Sequence, residues 1–188
     1  MTTCYLVVGP ESAGNRMLAA CLIAAGGRGE ATARGDGGYN NCLPEGEDRA
    51  VVIRSFPHGG EWPSLDRILD QLLAHYDQVT VLVTVRHPVA LWRSQANRGH
   101  VASTPEAHDN SRQAYVLIMA ALGRRWGMDG VEWLLVPYES LADGGAEALM
   151  GQLGLSAMGL GGLVEVEGRL VPLENRNRRH FPTRMEAT

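Results

Sequence analysis

The chain has no lysine: all 17 of its basic residues are arginine. Chemistry that needs a compact ammonium, such as a phosphate-loop lysine or a Schiff base, is therefore closed to it. Positive charge is scarce overall, because 21 acidic residues leave a net charge of −4. A broad basic field for nucleic acid or an acidic membrane is excluded, and only local anion pockets remain, at Arg86 to Arg98 and Arg176 to Arg184. Cysteine is nearly absent. Cys4, Cys21 and Cys42 have no metal-ligand spacing, and an odd, sparse set without a secretory signal reads as reduced thiols in a cytoplasm-like compartment. No apolar run approaches the roughly 20 residues of a membrane span. No metal site is expected.

What is present is a domain-sized apolar content: 188 residues, 45% hydrophobic, enough for one core burying roughly 70% of the unfolded surface. Apolar runs alternate with amphipathic stretches, which predicts a parallel α/β sheet. Strands are expected near 4–9, 50–54, 79–85 and 131–136. Helices are expected at 14–26, from Ser64 as cap, from Pro88 to Asn97, at 110–126 and near 145–153. Val116, Leu117, Met119, Ala120 and Leu122 are read as the buried side of the fourth helix. Trp92, Trp126 and Trp133 are read as core or rim. Residues 27–48 and 99–108 read as loops, the latter carrying solvent-facing His100 and His108. A hairpin around Gly168 is expected at 164–171, with a basic tail after it.

The first strand, Tyr5-Leu6-Val7-Val8, runs into Gly9-Pro10-Glu11-Ser12-Ala13-Gly14-Asn15-Arg16 and then a small-residue helix. Strand, glycine loop and helix in this order cradle an anion, because backbone N–H groups and the helix dipole converge on it. The glycine spacing matches G-x-x-x-x-G-K-[ST], but Asn15 holds the lysine position and Arg16 the hydroxyl position. A phosphate fits this loop; the usual equipment for Mg-ATP is missing. A second candidate is Arg86, at the end of a buried strand, with Ser94 eight residues later in the helix opened by Pro88. A guanidinium and a hydroxyl so placed suit one phosphate.

Together these segments resemble the sulfotransferases that use 3′-phosphoadenosine-5′-phosphosulfate (PAPS). The resemblance implies a P-loop-type three-layer α/β fold around a mostly parallel four- or five-stranded sheet, in a single domain. It gives Gly9 to Arg16 the 5′-phosphosulfate, and Arg86 with Ser94 the 3′-phosphate. Val136-Pro137-Tyr138-Glu139-Ser140-Leu141 resembles a later family segment, Tyr-Glu-Asp-Leu. Arg54 and His58, after the second strand, stand nearest the family's basic residue and general base, with Glu61 as the reserve base. Arg176 and Arg178 resemble, weakly, the late segment that closes over the 3′-phosphate. The chain departs from the family near Ser12, where a lysine or arginine usually bridges the phosphosulfate; Arg16 is the substitute. The implied reaction is transfer of a sulfuryl group from PAPS to a hydroxyl on a small-molecule or glycan acceptor, without metal. The alternatives are a non-catalytic module that binds PAPS or its bisphosphate product, and a P-loop kinase.

Overall fold

The computed structural model describes residues 1–28, 48–58, 60–141, 145–156 and 160, and the backbone of 163–166 and 169–172. Four strands form one parallel sheet in the order β2-β1-β3-β4: β1 Thr3–Pro10, β2 Arg49–Phe56, β3 Gln78–Val85 and β4 Val131–Pro137. The register pairs Val7 with Ile53, Val8 with Val83 and Leu82 with Leu134, so all four strands end at one edge. Side chains alternate across this sheet, and both faces are covered. One face (Tyr5, Val7, Val51, Ile53, Leu82) packs under α1, Asn15–Ala24, and α6, Ala146–Gln152. The other (Leu6, Val8, Val52, Val81, Val83) packs under α2, Leu65–Leu73, and α4, Thr104–Arg125. This is the expected three-layer α/β fold, with four strands in the central sheet. α3, Pro88–Asn97, follows β3, and a single turn, α5, Tyr138–Ser140, follows β4. The expected hairpin is β5, Leu163–Val166, antiparallel to β6, Arg169–Pro172. Burial pushes the Cys4 and Cys21 thiols up to about 12, so both are inert core residues.

Three expectations fail in and around α4. The stretch read as a loop over 99–108 is helical from Thr104, because Ser103 accepts from the Glu106 N–H while the Glu106 carboxylate accepts from the Ala102 N–H. That is a Ser-x-x-Glu capping arrangement, with Pro105 in the first turn. The buried side is also different. Ala107, Ser111, Ala114, Ile118 and Ala121 face inward, whereas Val116 is 60% and Met119 40% exposed. The buried residues recur at steps of four and three, and are mostly small, so the helix lies close on the sheet. The spacing of Ala107, Ala114 and Ala121, and not residue size, marks the inward face. Trp126, read as core or rim, is instead 71% exposed at the C-terminal cap of α4. Among the described residues no helix is long and apolar enough to cross a membrane.

Candidate functional site

The glycine loop turns at the end of β1 by means of two left-handed residues, Ser12 with φ 65° and Gly14 with φ 104°. Gly14 is also the N-cap of α1, which has no side-chain cap and no acidic residue in its first turn. The early N–H groups of α1 therefore keep their positive character toward the loop. Ser12 Oγ is buried with no hydrogen-bond partner among the described residues. A loop oxyanion would supply one. Both glycines are required by close approach: a Cβ on Gly9 would overlap the Thr84 hydroxyl, and one on Gly14 would overlap the Tyr138 ring.

Asn15, at the lysine position, is buried and faces inward. Its amide Nδ2 donates to the carbonyls of Gly9 and Pro10 and to Ser55 Oγ, each at 3.2 Å, and its Oδ1 accepts from the Thr84 hydroxyl. Asn15 thus ties the loop to β2 and β3 instead of reaching toward a ligand.

The loop is braced from outside by two further side chains. Arg86, at the end of β3 and 8% exposed, donates from Nη1 to the Ser12 carbonyl at 2.7 Å. Its guanidinium lies over the Tyr138 ring, 4.4 Å from the centroid, a cation–π contact. Tyr138 therefore touches both Gly14 and Arg86, and its neighbour Glu139 accepts from the His87 N–H at 2.8 Å. The second brace is Gln95 on α3, whose Nε2 donates to the Glu11 carbonyl at 2.8 Å. Ser94, one residue earlier, is 2% exposed on the same helix. The structure so brings Gly9–Arg16 and Arg86 together, with Ser94 on the helix that grips the loop. Thr84, Gln95 and Tyr138 were missed as loop-holding residues. For Tyr138 the signal was present in the Tyr-Glu segment; for Gln95 and Thr84, buried among apolar neighbours, there was none.

On the β2 side, Arg54 and His58 are half-buried. His58 exchanges backbone hydrogen bonds with Glu61, N to O at 2.7 and 3.1 Å. The two expected bases are therefore backbone neighbours across one tight turn. Burial, and then the Arg54 charge, lower the His58 pKa below its ordinary value, which keeps the ring neutral near pH 7. On the α3 side, His100 Nδ1 lies 3.6 Å from Glu11 Oε2. Burial, then Arg98 and Arg16, lower the His100 pKa, and burial raises that of Glu11. Among the described residues no cluster of three His, Cys, Asp or Glu side chains is placed to hold a metal. Arg176 and Arg178, and nearly all of the 27–48 stretch, lie outside the described residues.

No family model matches the chain, and neither does any curated protein. Among solved structures it is similar to the sulfotransferase domain of the olefin synthase from Synechococcus PCC 7002. The TM-score is 0.56, with 18% identity over 82% of this chain and 74% of that one. The fold is sulfotransferase-like. At that identity the likeness extends to architecture alone, and the chemistry rests on the residues of this site.

Proposed function

We propose that the chain is a sulfotransferase that takes PAPS as donor and passes its sulfuryl group to a hydroxyl-bearing acceptor. One observation carries the reading: Arg86, 74 residues from Ser12 in sequence, is hydrogen-bonded to the glycine loop. The glycine loop and Arg86, the two candidate anion-binding elements, are thus adjacent at the C-terminal edge of a parallel sheet, where open α/β folds hold ligands. The donor carries two phosphorylated ends, which matches two such elements. Gly9 to Arg16 would hold the 5′-phosphosulfate by loop N–H groups, the α1 dipole and Ser12 Oγ. Arg86 and Ser94 would hold the 3′-phosphate. Arg16 or Arg54 would offset charge gathering on the oxygen between phosphorus and sulfur. A neutral imidazole beside the loop would take the acceptor proton, and both His58 and His100 are neutral enough to do so.

The kinase alternative has weaker support. It needs a lysine where Asn15 is already committed to the loop carbonyls, and a metal-binding hydroxyl where Arg16 stands. Calorimetry separates the readings. Adenosine 3′,5′-bisphosphate should bind without magnesium, and Mg-ATP should not. Arg86→Ala should erase the preference for the 3′-phosphorylated nucleotide over adenosine 5′-phosphate while far-UV circular dichroism stays unchanged. Equal affinity of the wild type for both nucleotides refutes the Arg86 role. Turnover of radiolabelled PAPS with a panel of alcohols, glycans and phenols then distinguishes an enzyme from a module that only binds.

A further inference from the structure

The loop carries a carboxylate, Glu11, where an anionic donor would be expected to meet only positive charge. The structure gives Glu11 a specific companion. α3 ends in a Schellman turn: Gly99 is left-handed with φ 68°, its N–H bonds to the Ala96 carbonyl, and the His100 N–H bonds to the Gln95 carbonyl at 3.0 Å. The same Gln95 uses its side chain to hold the Glu11 carbonyl, and it is itself only 1% exposed and accepts from Ser111 Oγ. One buried residue therefore fixes the backbone of both partners. Glu11 and His100 are presented to each other, Oε2 to Nδ1 at 3.6 Å, beside the mouth of the loop.

Resting on the sulfotransferase reading, we propose that Glu11 and His100 form a carboxylate–imidazole pair in which His100 is the general base and Glu11 its positioning residue. At 3.6 Å the two are just beyond hydrogen-bond distance; on closing by a few tenths of an ångström, a carboxylate facing Nδ1 would select the tautomer with the proton on Nδ1, leaving the Nε2 lone pair to accept. In the step itself, the acceptor oxygen forms a bond to sulfur while its proton passes to Nε2. The bond from sulfur to the 5′-phosphate oxygen breaks, and that oxygen keeps the electron pair, releasing adenosine 3′,5′-bisphosphate. The proton on Nε2 then leaves to water. The charged groups around the ring are Glu11, Arg98 and Arg16. Burial, and then the two arginines, keep the resting imidazole neutral, and Glu11 would stabilise the imidazolium that forms in the transfer. This assigns a purpose to a negative residue in an anion-binding loop.

The test is steady-state turnover of PAPS by His100→Ala, His58→Ala and Glu11→Gln, with bisphosphate affinity measured on the same preparations. His100→Ala should lose about 10²- to 10⁴-fold in kcat, retain bisphosphate binding, and recover part of the loss with added imidazole. Glu11→Gln should shift the acidic limb of the kcat profile to lower pH, because removing the carboxylate lowers the pKa of the ring. Loss in His58→Ala with His100→Ala unaffected overturns the assignment and leaves sulfuryl transfer standing. A wild type that turns over nothing overturns both. Imidazole without effect on an impaired His100→Ala reduces His100 to a structural residue, and overturns it as well.

Discussion

Replacing Asn15 by leucine tests whether this side chain is the clamp of the loop or a vestige of a nucleotide site. Leucine keeps the branched outline of asparagine, with two methyl groups in place of the amide oxygen and nitrogen, so the packing cost is secondary. What is lost is polar. The carbonyls of Gly9 and Pro10 each lose a donor at 3.2 Å, Ser55 Oγ loses another, and the Thr84 hydroxyl loses its acceptor. Thr84 retains the Val8 carbonyl as an alternative at 3.2 Å, so it is the least affected. A buried group left without its partner costs about 1–3 kcal/mol. Two carbonyls so exposed give about 2–6 kcal/mol, toward the lower half because the loop lies near solvent and water can reach it. With a urea m-value of about 2 kcal/mol/M, the midpoint should fall by about 1–2 M. Asn15→Asp should be at least as damaging, since it sets a carboxylate against two carbonyl oxygens. Affinity for adenosine 3′,5′-bisphosphate should fall in either variant, because the loop loses its shape. A midpoint shift below about 0.3 M for Asn15→Leu would refute the clamp, and would return Asn15 to the pool of ligand-facing residues.

Gly14→Ala should destabilise by about 2–5 kcal/mol. Left-handed backbone strain contributes about 1–2 kcal/mol and overlap with the Tyr138 ring the rest. Calorimetric melting should show a drop on the order of 10 °C, and in a double-mutant cycle Gly14→Ala should cost less in a Tyr138→Ala background; an additive pair would mean that strain acts alone. On α4, Ile118→Ala should cost about 2–5 kcal/mol, while Val116→Ser and Met119→Ser should each stay within about 0.5 kcal/mol in urea titrations. The reverse order would restore the large-residue face. The pKa of His58 is lowered in the folded protein, so the unfolded chain takes up the proton first as pH falls. Its contribution to stability is complete above about pH 6.5 and declines below it, by at most about 1.4 kcal/mol per pH unit. His58→Asn should flatten the urea-midpoint profile between pH 7.5 and 5.5; a parallel profile contradicts the shift.

The parts of this fold legible in the sequence are those governed by local rules. A hydrophobic run marked β1 and a nearly continuous β-branched run marked β3, Pro88 opened α3 at the residue expected, and Ser64 caps α2 through the Arg67 N–H at 3.4 Å. The glycine loop and Arg86 were legible for a similar reason: their spacing is a local pattern, and the parallel register carries both to one sheet edge. What could not be read is decided across the chain. Nothing near Asn15 in sequence announces that Ser55 and Thr84 will meet it. Nothing near Gln95 announces Glu11, 84 residues earlier. The inward face of α4 was obscured because a helix lying close on a sheet buries alanine and exposes valine and methionine, against the usual ranking by size.

The absence of lysine from the loop is better explained by geometry than by loss. A lysine at position 15 would have to leave the loop interior to meet a phosphate, and the carbonyls of Gly9 and Pro10 would then need other donors. Asn15 serves those carbonyls from within, which frees the loop exterior for charges supplied by other elements. Arg86 arrives from the end of β3, and its guanidinium is held by contacts that do not involve a ligand, the Ser12 carbonyl and the face of the Tyr138 ring. Guanidinium suits this role, because one edge can brace Ser12 and the flat face can rest on Tyr138, which no ammonium could do with one geometry. Arg86→Lys is therefore as informative as Arg86→Ala. It keeps the charge, loses the stacked brace, and should lower both the thermal midpoint and the affinity for the 3′-phosphate; a fully active lysine variant would show that charge alone sufficed.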